Sequence, residues 1–237
     1  MKPSTLLIAC MDMTTTRCCN AATYVDQTKP SLPGLQVLYC CSCGHNADVI
    51  YEGVTQHTED FLQDTSKPKG CHWIEAKGLR DKAVHHVLSQ VVYKPDDSKG
   101  EVPYDVPDSD DIVKLLWDDH RVVGFYTIKP QGPGALNCGL PDDDDGIPTL
   151  DTAYIRPSHR GRGLGLILLQ DLVDSYPGSD FGLSHPLSDS MWMVVKKFLE
   201  QNAELRRKMW LVKDNCREGN KTLIWFCLHM KGLLSSR

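Results

Sequence analysis

The apolar positions of the chain change period several times, and each change marks an element. Leu35–Cys41 (LQVLYCC) and Asp48–Tyr51 (DVIY) have the β-branched and aromatic content of short strands, separated by the turn-prone Ser42–Asn46. Across Gly78–Tyr93, Leu79, Val84, Val87, Leu88, Val91 and Val92 fall near one face at helical spacing, and Pro95 stops the run. Ile112–Trp117 and Arg121–Ile128 flank Asp118-Asp119-His120, which predicts a β-hairpin. Thr149–Ile155 is predicted as a strand, and Gly163–Ser175 as a helix burying Leu166, Leu169, Leu172 and Val173. Phe181–His185 reads as a strand closed by Pro186, with Ser188 as N-cap of a helix reaching Gln201. Lys208–Val212 and Leu223–Met230, the latter with the β-rich core LIWFCL, read as strands on either side of Asp214–Asn220.

The remaining stretches carry little periodicity. Residues 1–34 are expected as a loose N-terminal arm, 35–75 as short strands and loops preceding or extending the core, and 76–232 as the main domain. Lys94–Asp111 and Gly132–Gly146 read as long loops. The second contains the run Asp142–Asp145, which is either solvated surface or a means of steering basic substrates. The order hairpin, strand, helix, strand, helix, strand pair indicates a mixed α/β sheet with helices on its faces.

Composition narrows the class. With 237 residues, 41% hydrophobic and 24% charged, the chain is an ordinary globular one. The net charge of −5 argues against a nucleic-acid binder with a broad basic face. No apolar run approaches the roughly 20 residues that span a bilayer. The stretch Thr5–Cys10 is shorter than the roughly 7–15 apolar residues of an export signal. The ten cysteines are therefore expected as reduced intracellular thiols. Cys40, Cys41, Cys43 and His45 include one pair at zinc-knuckle spacing, but Cys71-His72 makes a poor second pair. Buried thiols beside a surface loop is the reading adopted, with no metal expected and zinc as its alternative.

The chemistry concentrates after the predicted strand 149–155. There, Arg160-Gly161-Arg162-Gly163-Leu164-Gly165 leads into an apolar helix. Glycines permit backbone conformations closed to other residues, and a helix N-terminus offers unpaired N–H groups and a positive dipole end. That combination suits a pyrophosphate, with Arg160 and Arg162 adding charge. The spacing excludes a P-loop, which needs a Lys-Ser/Thr pair after its last glycine. It also departs from the G-x-G-x-x-G dinucleotide fingerprint.

The spacing that fits is [Q/R]-x-x-G-x-[G/A], matched by Arg160-x-x-Gly163-x-Gly165 and preceded by Ile155-x-Pro157. In this the sequence resembles the GNAT superfamily of N-acetyltransferases. The resemblance implies a GNAT-like mixed, mostly antiparallel central sheet flanked by helices, with a less regular N-terminal extension. It implies acetyl-CoA as cosubstrate, held by Ile155, Arg160, Gly161, Arg162, Gly163, Leu164 and Gly165. Gly78–Pro95, Ile112–Pro130, Leu150–Val173 and Gly182–Ser188 also resemble the soluble lamin-associated protein family. That narrower likeness implies an intracellular protein, in nucleus or cytoplasm, with a nuclear-lamina partner and no established substrate.

For catalysis, the GNAT resemblance implies direct attack of an amine on the acetyl thioester between two splayed strands. Period-two alternation places Asp151 on one face with Thr149, Ala153 and Ile155, where it is a candidate base. Thr149 stands where some lysine-directed members carry glutamate. His185, at the end of the second strand, is the other candidate. Taking Ser188 as the family's helix-start asparagine puts Val195 at the position of its acid tyrosine, and valine donates no proton. Two functions therefore remain open. One is an N-acetyltransferase acting on an amine of a protein, peptide or small molecule; the other is a catalytically inactive GNAT-like binding module.

Overall fold

The computed structural model of the chain describes residues 23–25, 32–40, 46–104, 106–130, 147–213 and 221–234. The cysteine-histidine group beyond Cys40, the acidic run 142–145 and the turn 214–220 lie outside them.

Two sheets form. The smaller orders β1 (Thr23–Val25), β2 (Leu35–Cys40), β3 (Asn46–Tyr51) and β4 (Val54–His57) as an antiparallel meander. The segment expected as a loose arm thus contributes a strand, since Thr23–Val25 pairs antiparallel with Leu38–Cys40. A short helix α1 (Thr58–Phe61) follows. Its Glu59 carboxylate accepts from the guanidinium groups of Arg156 and Arg121, which ties this half of the chain to the larger sheet.

The larger sheet begins with β5 (Cys71–Glu75), part of a stretch that local pattern left as strands and loops. It continues with β6 (Ile112–Asp118), β7 (Arg121–Lys129), β8 (Thr149–Ile155), β9 (Phe181–Ser184), β10 (Met209–Val212) and β11 (Lys221–Leu223). Spatial order follows sequence order across all seven strands. Every pairing is antiparallel except β8 with β9 and β9 with β10, which are parallel. Those two parallel steps are where crossover helices belong. Helices α3 (Leu164–Ser175) and α4 (Asp189–Gln201) supply them. Ser188 caps α4 as its sequence predicts, accepting from the Met191 N–H.

Side-chain alternation divides the core between the two faces. On β7, Phe125 belongs to a cluster under the helix α2 (Leu79–His86), while its neighbour Tyr126 belongs to the cluster under α3 and α4. Tyr126 donates to Asp171 of α3, and the same carboxylate pairs with Lys114 of β6 at 2.7 Å. Helix and sheet are thereby locked in register across the apolar layer.

Three sequence expectations change. The helix predicted over 78–93 is α-helical only to His86 and continues as a π-helix over Val87–Val92. The wider turn lets Val87, Leu88 and Val91 all face the core, while Leu79 in the first turn is 68% exposed. On α3, Leu164 and Leu168 are fully buried, and Leu166 and Val173 only half so. Most clearly, Leu223–Met230 is not a strand. Pairing with the four-residue β10 uses only Lys221–Leu223, and Ile224–Met230 coils into α5. A strand would place Ile224, Phe226, Leu228 and Met230 on one face. Helical spacing buries Ile224 and Leu228 and exposes Phe226 and Met230 instead. Burial has outweighed the β-propensity of these residues.

Candidate functional site

The site begins where β8 and β9 part. They pair only through Thr149↔Gly182 and Leu150↔Leu183. Beyond that, β8 stays with β7 as far as Ile155, and β9 stays with β10 through Ser184↔Val212. The strands splay and open a cleft of about 440 Å³ between them. Its walls include Leu150–Ile155 on one side and Ser184, Pro186 and Ser188 on the other, with α3 and the start of α4 closing it. The volume lies in the range of small-molecule and cofactor pockets.

A β-bulge shapes the β8 wall. Thr127 opposes Thr152 and the next residue, Ile128, opposes Leu150, so Asp151 is the extra residue. The Thr152 amide donates instead to the Thr127 hydroxyl, at 3.1 Å. The bulge also corrects the facing read from alternation. Ala153 pairs with Tyr126 and Leu150 with Ile128, both on the α3 side, so Ala153 shares the face of Leu150 and not that of Thr149. Asp151 sits half-buried in the cleft wall. His185 is exposed, one residue past β9, and does not line the cleft; the two candidate bases are not brought together. Thr149 and Val195 are both fully buried.

The glycine loop opens onto the cleft. After β8, Pro157–His159 makes one 3-10 turn, and Gly161 and Gly163 both take φ of +79°. A Cβ at either position would meet nothing within 4 Å, so these glycines serve backbone conformation and leave open space above the loop. Gly163 brings no side chain to cap α3, so no side-chain oxygen of the N-cap accepts from the first-turn amides. Gly165 has a different task. Its Cβ would lie 3.0 Å from both Val194 methyl groups, so glycine here lets α3 and α4 approach closely.

The two loop arginines do not face solvent as free charges. Arg160 donates to the Ile155 carbonyl and to Glu101 Oε1, each at 2.8 Å. Arg162 pairs with Asp118 at 2.7 Å. Sequence reasoning missed several cleft residues, namely Tyr93, Glu101, Tyr104 and Lys197. Tyr93 donates to the Val102 carbonyl, and burial, reinforced by the Glu101 charge, pushes its phenol up to about 12. Burial raises the Tyr154 phenol as well. Tyr93 ends the helix predicted over 78–93, and Glu101 and Tyr104 fall in the predicted loop Lys94–Asp111, whose local pattern singles out neither residue. Among the described residues, no group of three or more His, Cys, Asp or Glu side chains is gathered as for a metal ion, and Cys71 is a free thiol.

A sheet with one splayed parallel pair, a bulge on the first splayed strand and a glycine loop at the following helix invites comparison with known proteins. Residues 80–185 match the acetyltransferase (GNAT) family. The match runs from α2 through the bulged strand and the glycine loop to the end of β9. The chain is also 28% identical to mouse protein FAM169B over 185 residues, covering 73% of this chain and 52% of that one. It is 28% identical to human protein FAM169BP over 132 residues, covering 51% of this chain and 64% of that one. The chain thus spans about half the length of the mouse relative. Among solved structures it is similar to a ribosomal-protein-alanine N-acetyltransferase from Brucella melitensis. That similarity has 17% identity and a TM-score of 0.34, over 55% of this chain and 90% of the bacterial one.

Proposed function

We propose that the β8/β9 cleft binds acetyl-CoA and that the protein transfers the acetyl group to an amine of a protein, peptide or small molecule. The observation that carries this is the uncapped start of α3, reached through two positive-φ glycines with open space above them and set at the mouth of the splay. The residues that would hold the diphosphate are Arg160, Gly161, Arg162, Gly163, Leu164 and Gly165, with Ile155 at the strand end beside them. When bound, acetyl-CoA supplies an activated acetyl thioester. Asp151, pushed out of the ladder by the bulge, is the residue we assign to accept the proton of the incoming ammonium. Val195 lies in the core, so this chain brings no acid from that helix position to the departing thiolate.

Calorimetric titration with acetyl-CoA and with free coenzyme A tests the reading. Binding in the micromolar range is expected for both, and its absence would overturn the proposal. Asp151→Asn should keep that binding and slow acetyl transfer to a panel of amines by about 100-fold or more, the size of a general-base contribution. Unchanged transfer would remove Asp151 from the chemistry. The buried Thr149 and Val195 favour a second reading, an inactive GNAT-like module in nucleus or cytoplasm with a nuclear-lamina partner. Micromolar coenzyme A binding without turnover of any amine is the result that would select it. No helix among the described residues is long and apolar enough to cross a membrane.

A further inference from the structure

The segment Asp96–Tyr104 crosses from the end of the π-helix to the cleft, and its anchors form a closed set. Asp97–Lys99 makes a 3-10 turn ended by Gly100 at φ +67°. Gly100 packs towards the Cα of Ser188, the first residue of the α4 cap. At the near end, the Tyr93 hydroxyl donates to the Val102 carbonyl at 2.7 Å, and Tyr104 packs against Phe125 with centroids 5.1 Å apart and the rings tilted by 49°. Between them, Glu101 turns inward with its side chain 10% exposed. One carboxylate oxygen accepts from the Asp96 amide at 3.2 Å, and the other accepts from Arg160 at 2.8 Å.

Glu101 is therefore an internal anion on the arginine of the phosphate loop. A carboxylate held there opposes any ligand phosphate, since like charges brought together at a partly dry site cost more than they do in water. We infer that Asp96–Tyr104 is a strap across the cleft, latched by Glu101 on Arg160, and that a diphosphate ligand must displace Glu101 to seat fully. The latch rests on the coenzyme A reading given above. It is a conformational device in which the ligand and the strap compete for one guanidinium.

The test compares wild type with Glu101→Gln by calorimetry, using coenzyme A and, separately, pantetheine, which lacks the phosphates. The variant should bind coenzyme A about ten-fold more tightly, the size of one lost charge-assisted competitor, with pantetheine affinity unchanged. Hydrogen exchange of the ligand-free proteins gives a second readout. Amides of 97–104 should exchange faster in the variant while those of β7 and α4 do not change. Equal or weaker coenzyme A binding by the variant, with wild type binding normally, would overturn the strap and leave the cofactor reading standing. Unchanged exchange over 97–104 would overturn the latch on its own. Absence of coenzyme A binding to either protein would overturn the cofactor reading, and ligand displacement with it.

Discussion

Replacing Gly163 by aspartate is expected to abolish coenzyme A binding, and replacing it by asparagine is expected to spare most of it. Both residues must adopt the φ of +79° that glycine holds here without strain. Asn and Asp tolerate the left-handed region better than other side chains, and no atom lies within 4 Å of a Cβ at this position. The folding penalty should therefore be similar for the two, of order 1 kcal/mol, lowering the melting temperature by about 2–4 °C. Charge separates them. A carboxylate at the N-terminus of α3 would face ligand phosphates across open space. At an effective dielectric of about 20, two unit charges roughly 4 Å apart repel by about 4 kcal/mol, a loss of affinity near 1,000-fold. Calorimetry on both variants, with thermal unfolding as the control on folding, makes the comparison. Wild-type affinity in the aspartate variant would mean that the phosphates bind elsewhere.

The second large effect concerns the apex of the splay. A Cβ on Gly182 would lie 2.5 Å from the Thr149 hydroxyl oxygen and 2.6 Å from a Val212 methyl group. Thr149 is fully buried and Val212 is 5% exposed, so neither can swing out of the way. Gly182→Ala should destabilise the protein by about 3 kcal/mol, the upper end for overpacking a well-filled interior. It should also weaken coenzyme A binding, because β9 can relieve the overlap only by moving away from β8 at one of the two positions where they pair. Gly178→Ala is the comparison, with nothing within 4 Å of its Cβ but a φ of +81°. It should lose about 1 kcal/mol through backbone strain alone. Urea unfolding distinguishes them; a Gly182→Ala variant within about 0.5 kcal/mol of wild type would refute close packing at the apex.

These positions also divide what sequence reveals from what it hides. The hairpin 112–129 follows from β-branched and aromatic strand content on either side of Asp118-Asp119-His120, although Asp119 and His120 hold positive φ without glycine. Hydrogen bonds explain why that turn persists: the Gly70 amide donates to the Asp119 carboxylate, and the His120 ring meets the Lys67 carbonyl. The strand–loop–helix over 149–175 was legible for a similar reason. Strand pattern, glycine conformations and an apolar helix are local properties, and they occupy adjacent positions.

The bulge was not legible, because alternation predicts an uninterrupted strand and only the register against β7 shows that Asp151 is extra. For α5, a β-rich composition was overruled by the length of β10 and by the core that accepts Ile224 and Leu228. His185 stands between Ser184 and Pro186, which both line the cleft, and sequence does not show which way its ring points. It follows the cleft-lining Ser184 directly, yet the chain leaves the sheet there and carries its ring to solvent.

By itself, then, the sequence determined the strands and helices between Ile112 and Gln201 and the glycine spacing of the loop at Arg160–Gly165, since both rest on backbone preferences acting within a few residues. The tertiary structure alone decided which charges that loop presents. Arg160 meets a carboxylate 59 positions earlier in the chain, and Arg156 beside it meets one 97 positions earlier. Such pairs form only when the fold closes loops of that length, and no local pattern of residues records them.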